Sequence, residues 1–197
     1  MKFSRAKFIY STLALISLLT GCKHEEPKAR IAINTFSMQV NGQIWTPFQS
    51  QTDPCASTYA GAYADLGTIP IYTIYAYRDP SGRTDADSEN LLRMQAMDVT
   101  KPGVYFLDGT NKEDFDSYII FQMQNPYRRY VNNPGRSPFV VYVTEITTKR
   151  LHTIPGIKGS FSGILYNEDN LSDSLIIDKG KFAFDIMGGG FDSHCGF

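Results

Sequence analysis

From Ile157 to Leu165 the chain alternates. Ile157, Gly159, Phe161, Gly163 and Leu165 share one parity, and Lys158, Ser160 and Ser162 share the other. A period of two puts successive side chains on opposite faces of an extended strand, whereas a helix repeats every 3.6 residues. Gly159 and Gly163 on either side of Phe161 mark a bend or a close approach of backbone, the usual meaning of glycine inside a strand. A polar loop, Asn167 to Ser174, then leads to Leu175-Ile176-Ile177, and Lys179-Gly180 turns into Phe182, Phe184 and Ile186.

The same periodicity recurs along the chain. Phe36, Met38 and Val40 alternate with Thr35, Ser37 and Gln39, and Asn41-Gly42 offers the residues a tight hairpin turn needs before Ile44 and Trp45. Ile69 to Tyr77 is β-rich on both parities and is expected to be covered on both faces. Asp79-Pro80-Ser81-Gly82 makes a turn. Leu92, Met94 and Ala96 alternate with Arg93 and Gln95. Lys101-Pro102-Gly103 turns into Val104 to Leu107, and Ser117 to Met123 and Phe139 to Thr148 are further β-rich runs. Helix is scarce, its best short stretch being Asp87 to Met94, which competes with a strand. Short strands at regular spacing predict an all-β fold: an antiparallel β-sandwich or calycin-like β-barrel in a single domain.

The N-terminus has a different character. Lys2, Arg5 and Lys7 precede an uncharged, mostly apolar run from Phe8 to Leu19, the layout of a secretory signal peptide. At 12 residues the run is short of the ~20 needed to cross a bilayer as a helix. Leu19-Thr20-Gly21-Cys22 follows. This resembles the lipobox of bacterial lipoproteins, and the resemblance implies a diacylglycerol thioether on Cys22, which becomes the new N-terminus. The alternative is an ordinary leader with an incidental cysteine. Lys23-His24-Glu25-Glu26 is similar to the signal that exports some Bacteroidota lipoproteins to the outer leaflet; read without that likeness it is a solvated tether. The expected organisation is a signal peptide over 1–21, a lipidated tether over 22–30 and the β domain over 31–197.

The leader also biases the charge. The chain has 19 Lys and Arg against 20 Asp and Glu, a net −1, and loss of Lys2, Arg5 and Lys7 takes the mature chain to −4. Nucleic-acid binders carry clustered basic residues, so that class of partner is excluded.

"FSMQVNGQIW", "KPGVYFL" and "IKGSFSGILYNEDNLSDSLIIDKGKFAFDI" together resemble a family of small Bacteroidota lipoproteins of unknown function, β-rich with a G-x-F-x-G strand, a polar loop and a final G-x-F strand. The resemblance implies a fold and an outer-membrane address, on the periplasmic side or the cell surface. It brings no activity, cofactor or catalytic residue.

Candidate chemistry is sparse. His24, His152 and His194 are the near-neutral bases. His194 adjoins Cys195, but neighbours in extended chain point to opposite faces and make a poor dyad. Asp85-Ala86-Asp87-Ser88-Glu89 begins like a calcium loop but lacks its glycine and bidentate glutamate. Asn167 to Asp173 offers oxygen ligands without a recognisable geometry, so no metal and no cofactor is assigned. Cys55 and Cys195, an even pair in an exported chain, are expected to form a disulfide, the alternative being two separate thiols.

Tyr127-Arg128-Arg129-Tyr130 is the candidate binding loop. Tyrosine and arginine are enriched at recognition hot spots; the competing reading has the tyrosines capping the core and the arginines in water. The resulting expectation is a lipid-anchored envelope protein, held to the membrane through Cys22, whose non-catalytic β domain binds a small ligand or an envelope partner. The alternatives are a purely structural assembly protein and, third, a hydrolase.

Overall fold

A computed structural model describes residues 35–48, 60–109 except 82 and 84, 116–147 and 156–185. They form one all-β domain of eleven antiparallel strands. These are β1 (Thr35–Val40), β2 (Gln43–Trp45), β3 (Ala60–Asp65), β4 (Ile71–Arg78), β5 (Asn90–Met97) and β6 (Gly103–Leu107), then β7 (Tyr118–Gln124), β8 (Tyr127–Asn132), β9 (Phe139–Thr147), β10 (Gly156–Asn167) and β11 (Ser174–Asp185). The sheet is open and curled into a half-barrel, with strand order β2-β1-β11-β10-β8-β7-β5-β4-β3.

Strand β10 is the branch point. Gly156 to Ser162 pair with β9, which pairs in turn with β6. Leu165 to Asn167 pair instead with β8. Gly163 lies at the fork because Phe139 of β9 packs onto it: a Cβ there would stand 2.5 Å from the Phe139 ring. On its other side β10 pairs with β11 along almost its whole length.

A fork strands backbone groups that a continuous ladder would pair, and buried groups of this kind must find partners. Asn132, at the end of β8 and buried, fills the role with its side chain. Its Oδ1 accepts from the Ile119 amide at 2.9 Å, and its Nδ2 donates to the carbonyls of Leu107 at 2.9 Å and Gly109 at 2.7 Å. One amide thus stitches β7 and β8 to the end of β6.

The hairpin between β1 and β2 turns on Asn41 (φ 51°) and Gly42 (φ 77°), both in the left-handed region that a type I′ turn requires. Curling brings β2 over the β5–β7 arm. Trp45 packs edge-on to Phe121 at 5.8 Å and donates from its indole to Asn90 Oδ1 at 3.2 Å. The Phe48 amide bonds the Tyr77 carbonyl at 2.9 Å.

Each strand turns alternate residues onto the concave side, where they form one hydrophobic cluster. Phe161 is its hub, with Phe36, Phe139 and Phe182 at centroid distances of 5.5, 6.3 and 6.2 Å. The register explains the repeated G-x-F. Gly159 stands opposite Phe182 and Phe161 opposite Gly180, so each strand offers a glycine beneath the other's ring. As expected, β4 is covered on both faces, with Tyr72, Ile74 and Ala76 buried on one parity and Thr73 and Tyr77 on the other.

Some expectations change. Asp87 to Met94 contains no helix: Asp85 Oδ1 accepts the Asp87 amide, and strand β5 starts at Asn90. Tyr127 to Tyr130 is not a loop but the first part of β8. The Cys55–Cys195 disulfide is also corrected. No disulfide joins any of the three cysteines, and Cys22, Cys55 and Cys195 lie outside the described residues, so cohesion of the described domain is accounted for by pairing and packing.

Candidate functional site

Tyr127 to Tyr130 and the acidic loop Asn167 to Asp173 were separate candidates in the sequence; the fold makes them each other's partners. Strand β8 pairs with the end of β10, and the Glu168 amide bonds the Arg129 carbonyl at 3.0 Å. Arg129 Nη1 reaches both carboxylate oxygens of Glu168, at 2.6 and 2.7 Å. Arg128 Nη1 approaches Asp173 Oδ2 at 3.5 Å. The same Asp173 oxygen accepts from the Tyr130 hydroxyl and from Asn167 Nδ2, each at 2.9 Å.

These contacts set the electrostatics. The Asn167 amide first, and then the Tyr130 hydroxyl, hold the Asp173 carboxyl below the ordinary aspartate range. Burial raises the Tyr130 hydroxyl against the opposing pull of Arg128. Hydrogen bonding to Tyr130 raises the Arg128 guanidinium further. Arg136 completes the arrangement, donating to the Leu171 carbonyl at 3.0 Å and lying 5.4 Å over the Tyr166 ring.

The two chemistries therefore engage one another. Asp173 and Glu168 face arginine rather than an open coordination sphere. Among the described residues no group of three or more His, Cys, Asp or Glu gathers as a metal site would. Tyr130 is 1% exposed and belongs to the core, whereas Tyr127 is 59% exposed. In this segment Tyr130 is structural, the arginines form surface pairs, and Tyr127 stands exposed.

In the first acidic loop Asp85 Oδ1 accepts the Asp87 amide at 2.9 Å and the Ser88 hydroxyl donates to the Arg83 carbonyl at 2.9 Å, and the turn before it is held by Asp79. Asp79, buried between β4 and β5, accepts the Ser81 amide at 2.8 Å and the Glu89 amide at 3.0 Å. Hydrogen bonds from Ser81 lead in depressing its carboxyl. The lipidation candidate Cys22 and the histidines His24, His152 and His194 lie outside the described residues.

A different surface was not anticipated. On the convex side of β6 and β9, Val104 (52% exposed), Phe106 (56%) and Tyr142 (46%) project outward together. Their register places Val104 beside Tyr142, and Phe106 beside half-buried Val140. Among the described residues β9 is the sole ladder partner of β6, which makes β6 a sheet edge. The sequence signal was apolar character on both parities of Val104 to Leu107: one parity packs inside, through Leu107, and the other remains outside.

Residues 33–185 match a protein family described as a domain of unknown function, DUF5025. No curated protein and no solved structure shows significant similarity to the chain.

Proposed function

The chain belongs to that DUF5025 family, whose description supplies no activity, and from its own residues we propose a lipid-anchored outer-membrane lipoprotein that works by assembly at the envelope. Its β domain serves as a docking body rather than as a catalyst or a ligand container. The carrying observation is the contrast between the two faces of the sheet. The concave side is packed with its own rings around Phe161, while an apolar set stands outside on β6 and β9. A ligand carrier of this shape keeps its apolar surface within; a docking module turns some outward.

Leu19-Thr20-Gly21-Cys22 and the charged stretch behind it support the anchor. The arginine-bound state of Glu168 and Asp173 supports a non-catalytic domain, since a general acid or base needs access to the proton it moves.

Growth with a labelled fatty acid, followed by membrane fractionation of wild type and Cys22→Ala, tests the reading. Label and membrane attachment are expected in the wild type and neither in the variant. Unlabelled wild type, or label retained by Cys22→Ala, would overturn it.

A further inference from the structure

We infer that the convex face of β6 and β9 lies against the lipid bilayer, seating the domain on the membrane that holds its anchor. The inference rests on the lipid-anchor reading proposed above. Cross-strand register places Val104, Tyr142, Ser160, Lys181 and Ser37 in one row across β6, β9, β10, β11 and β1. With strands ~4.8 Å apart, Val104 sits roughly 19 Å from Ser37. Thr35, two residues before Ser37, is where the chain enters the sheet. The segment from Cys22 to Thr35 reaches at most ~45 Å when fully extended. A lipid on Cys22 and the apolar face of β6–β9 can therefore meet the same membrane plane.

The chemistry of the face selects the occupant. Val104, Phe106 and Tyr142 bring apolar bodies and one phenolic tip, the combination that settles at the boundary of acyl chains and headgroups. Exposed Lys101, Lys158 and Lys181 border them. Glu145 stands opposite Lys158 in the register, leaving Lys101 and Lys181 to lipid phosphates. Lysine is depleted from the cores of protein–protein interfaces, whereas at a membrane its stem lies along the apolar zone and its ammonium reaches the headgroups. A small face of this kind binds weakly alone and orients the domain once an acyl anchor has raised its local concentration.

The test places a reporter at the face. Full-length protein carrying Phe106→Trp or, on the other arm, Tyr127→Trp is reconstituted into phosphatidylethanolamine–phosphatidylglycerol vesicles with brominated acyl chains. Wild type, whose single Trp45 is buried, supplies the baseline, and acylation is measured on each sample. Quenching at least threefold greater for Phe106→Trp than for Tyr127→Trp is expected. Acylated protein with equal quenching at both positions would overturn the seating and leave the anchor standing. Acylated protein that runs as a dimer, reverts to monomer in Phe106→Ser and shows no quenching would assign the face to a second copy instead. Unacylated wild type would overturn the anchor and the seating together.

Discussion

Gly180→Ala adds one methyl group to the middle of β11, and the outcome depends on the ring above it. Gly180 has no positive φ, so alanine can adopt its backbone conformation. In an open strand the change would gain about 0.5–1 kcal/mol through reduced chain entropy. Here the new Cβ would stand 2.6, 2.6 and 2.7 Å from Cδ2, Cε2 and Cε1 of Phe161, far inside contact distance. Phe161 has little room to retreat, being 2% exposed and in ring contact with Phe36, Phe139 and Phe182. Overpacking of this sort costs about 1–3 kcal/mol. The net effect is a loss of about 1–2 kcal/mol, or roughly 3–6 °C in Tm for a domain of this size.

Urea unfolding of Gly180→Ala, Phe161→Leu and the double variant forms the assay. Phe161→Leu alone costs about 1–2 kcal/mol through the space it opens. The added methyl group partly fills that space, so the double variant should be more stable than the sum of the singles by about 1 kcal/mol. Gly103→Ala is the control, because its nearest neighbour would lie at 3.7 Å, and it should be neutral or slightly stabilising. If Gly180→Ala equals or exceeds the wild type, or if the cycle is additive, the interlock between Gly180 and Phe161 is refuted.

Asn132→Leu should cost about 2–4 kcal/mol, because it leaves the Ile119 amide and the Leu107 carbonyl unpaired at the fork. Denaturant unfolding together with faster hydrogen exchange at the Ile119 amide would show it, and a loss under about 0.5 kcal/mol would mean that the fork does not depend on this side chain. Asp173 predicts an acid sensitivity. Its folded pKa is depressed, so its contribution is present above the ordinary aspartate value of ~3.9 and is lost as pH falls through the lower, folded value. Thermal unfolding against pH should therefore show a shallower acid limb in Asp173→Asn than in the wild type, and equal slopes would contradict the assignment.

The legible parts of the fold were those written in local pattern. The β1–β2 hairpin was evident because Asn41-Gly42 suits left-handed backbone and the flanking residues alternate. Strands β10 and β11 were evident because a single apolar face runs along each. Strand β3 carries no such pattern: Ala60-Gly61-Ala62-Tyr63-Ala64-Asp65 contains no β-branched residue, and what places it is pairing along β4 with small side chains against the core. Strand β8 resembles a loop in the sequence because Pro126 and two arginines interrupt the apolar pattern. The arginines sit comfortably in a strand only because Glu168 and Asp173, on a loop far along the chain, answer them. Such a match between distant segments has no local signature. The fork in β10 is equally invisible, since nothing in an alternating run shows that its two halves serve different neighbours.

The position of β11 between β1 and β10 has a consequence for the order in which the domain can be completed. Strands β3, β4 and β5, and then β7 and β8, join partners close by in the chain and can zip up soon after they appear. Among the described strands β1 is made first, yet outside its short hairpin with β2 its partner is β11, the last of them to be made. Until Ser174 to Asp185 arrives, the first hairpin has, among the described residues, no ladder to the body of the sheet, and one edge of β10 stays unpaired. Maturation of this domain therefore ends rather than begins at its N-terminal strand, with β11 folding back on β10, made just before it, and offering its free edge to β1, made long before.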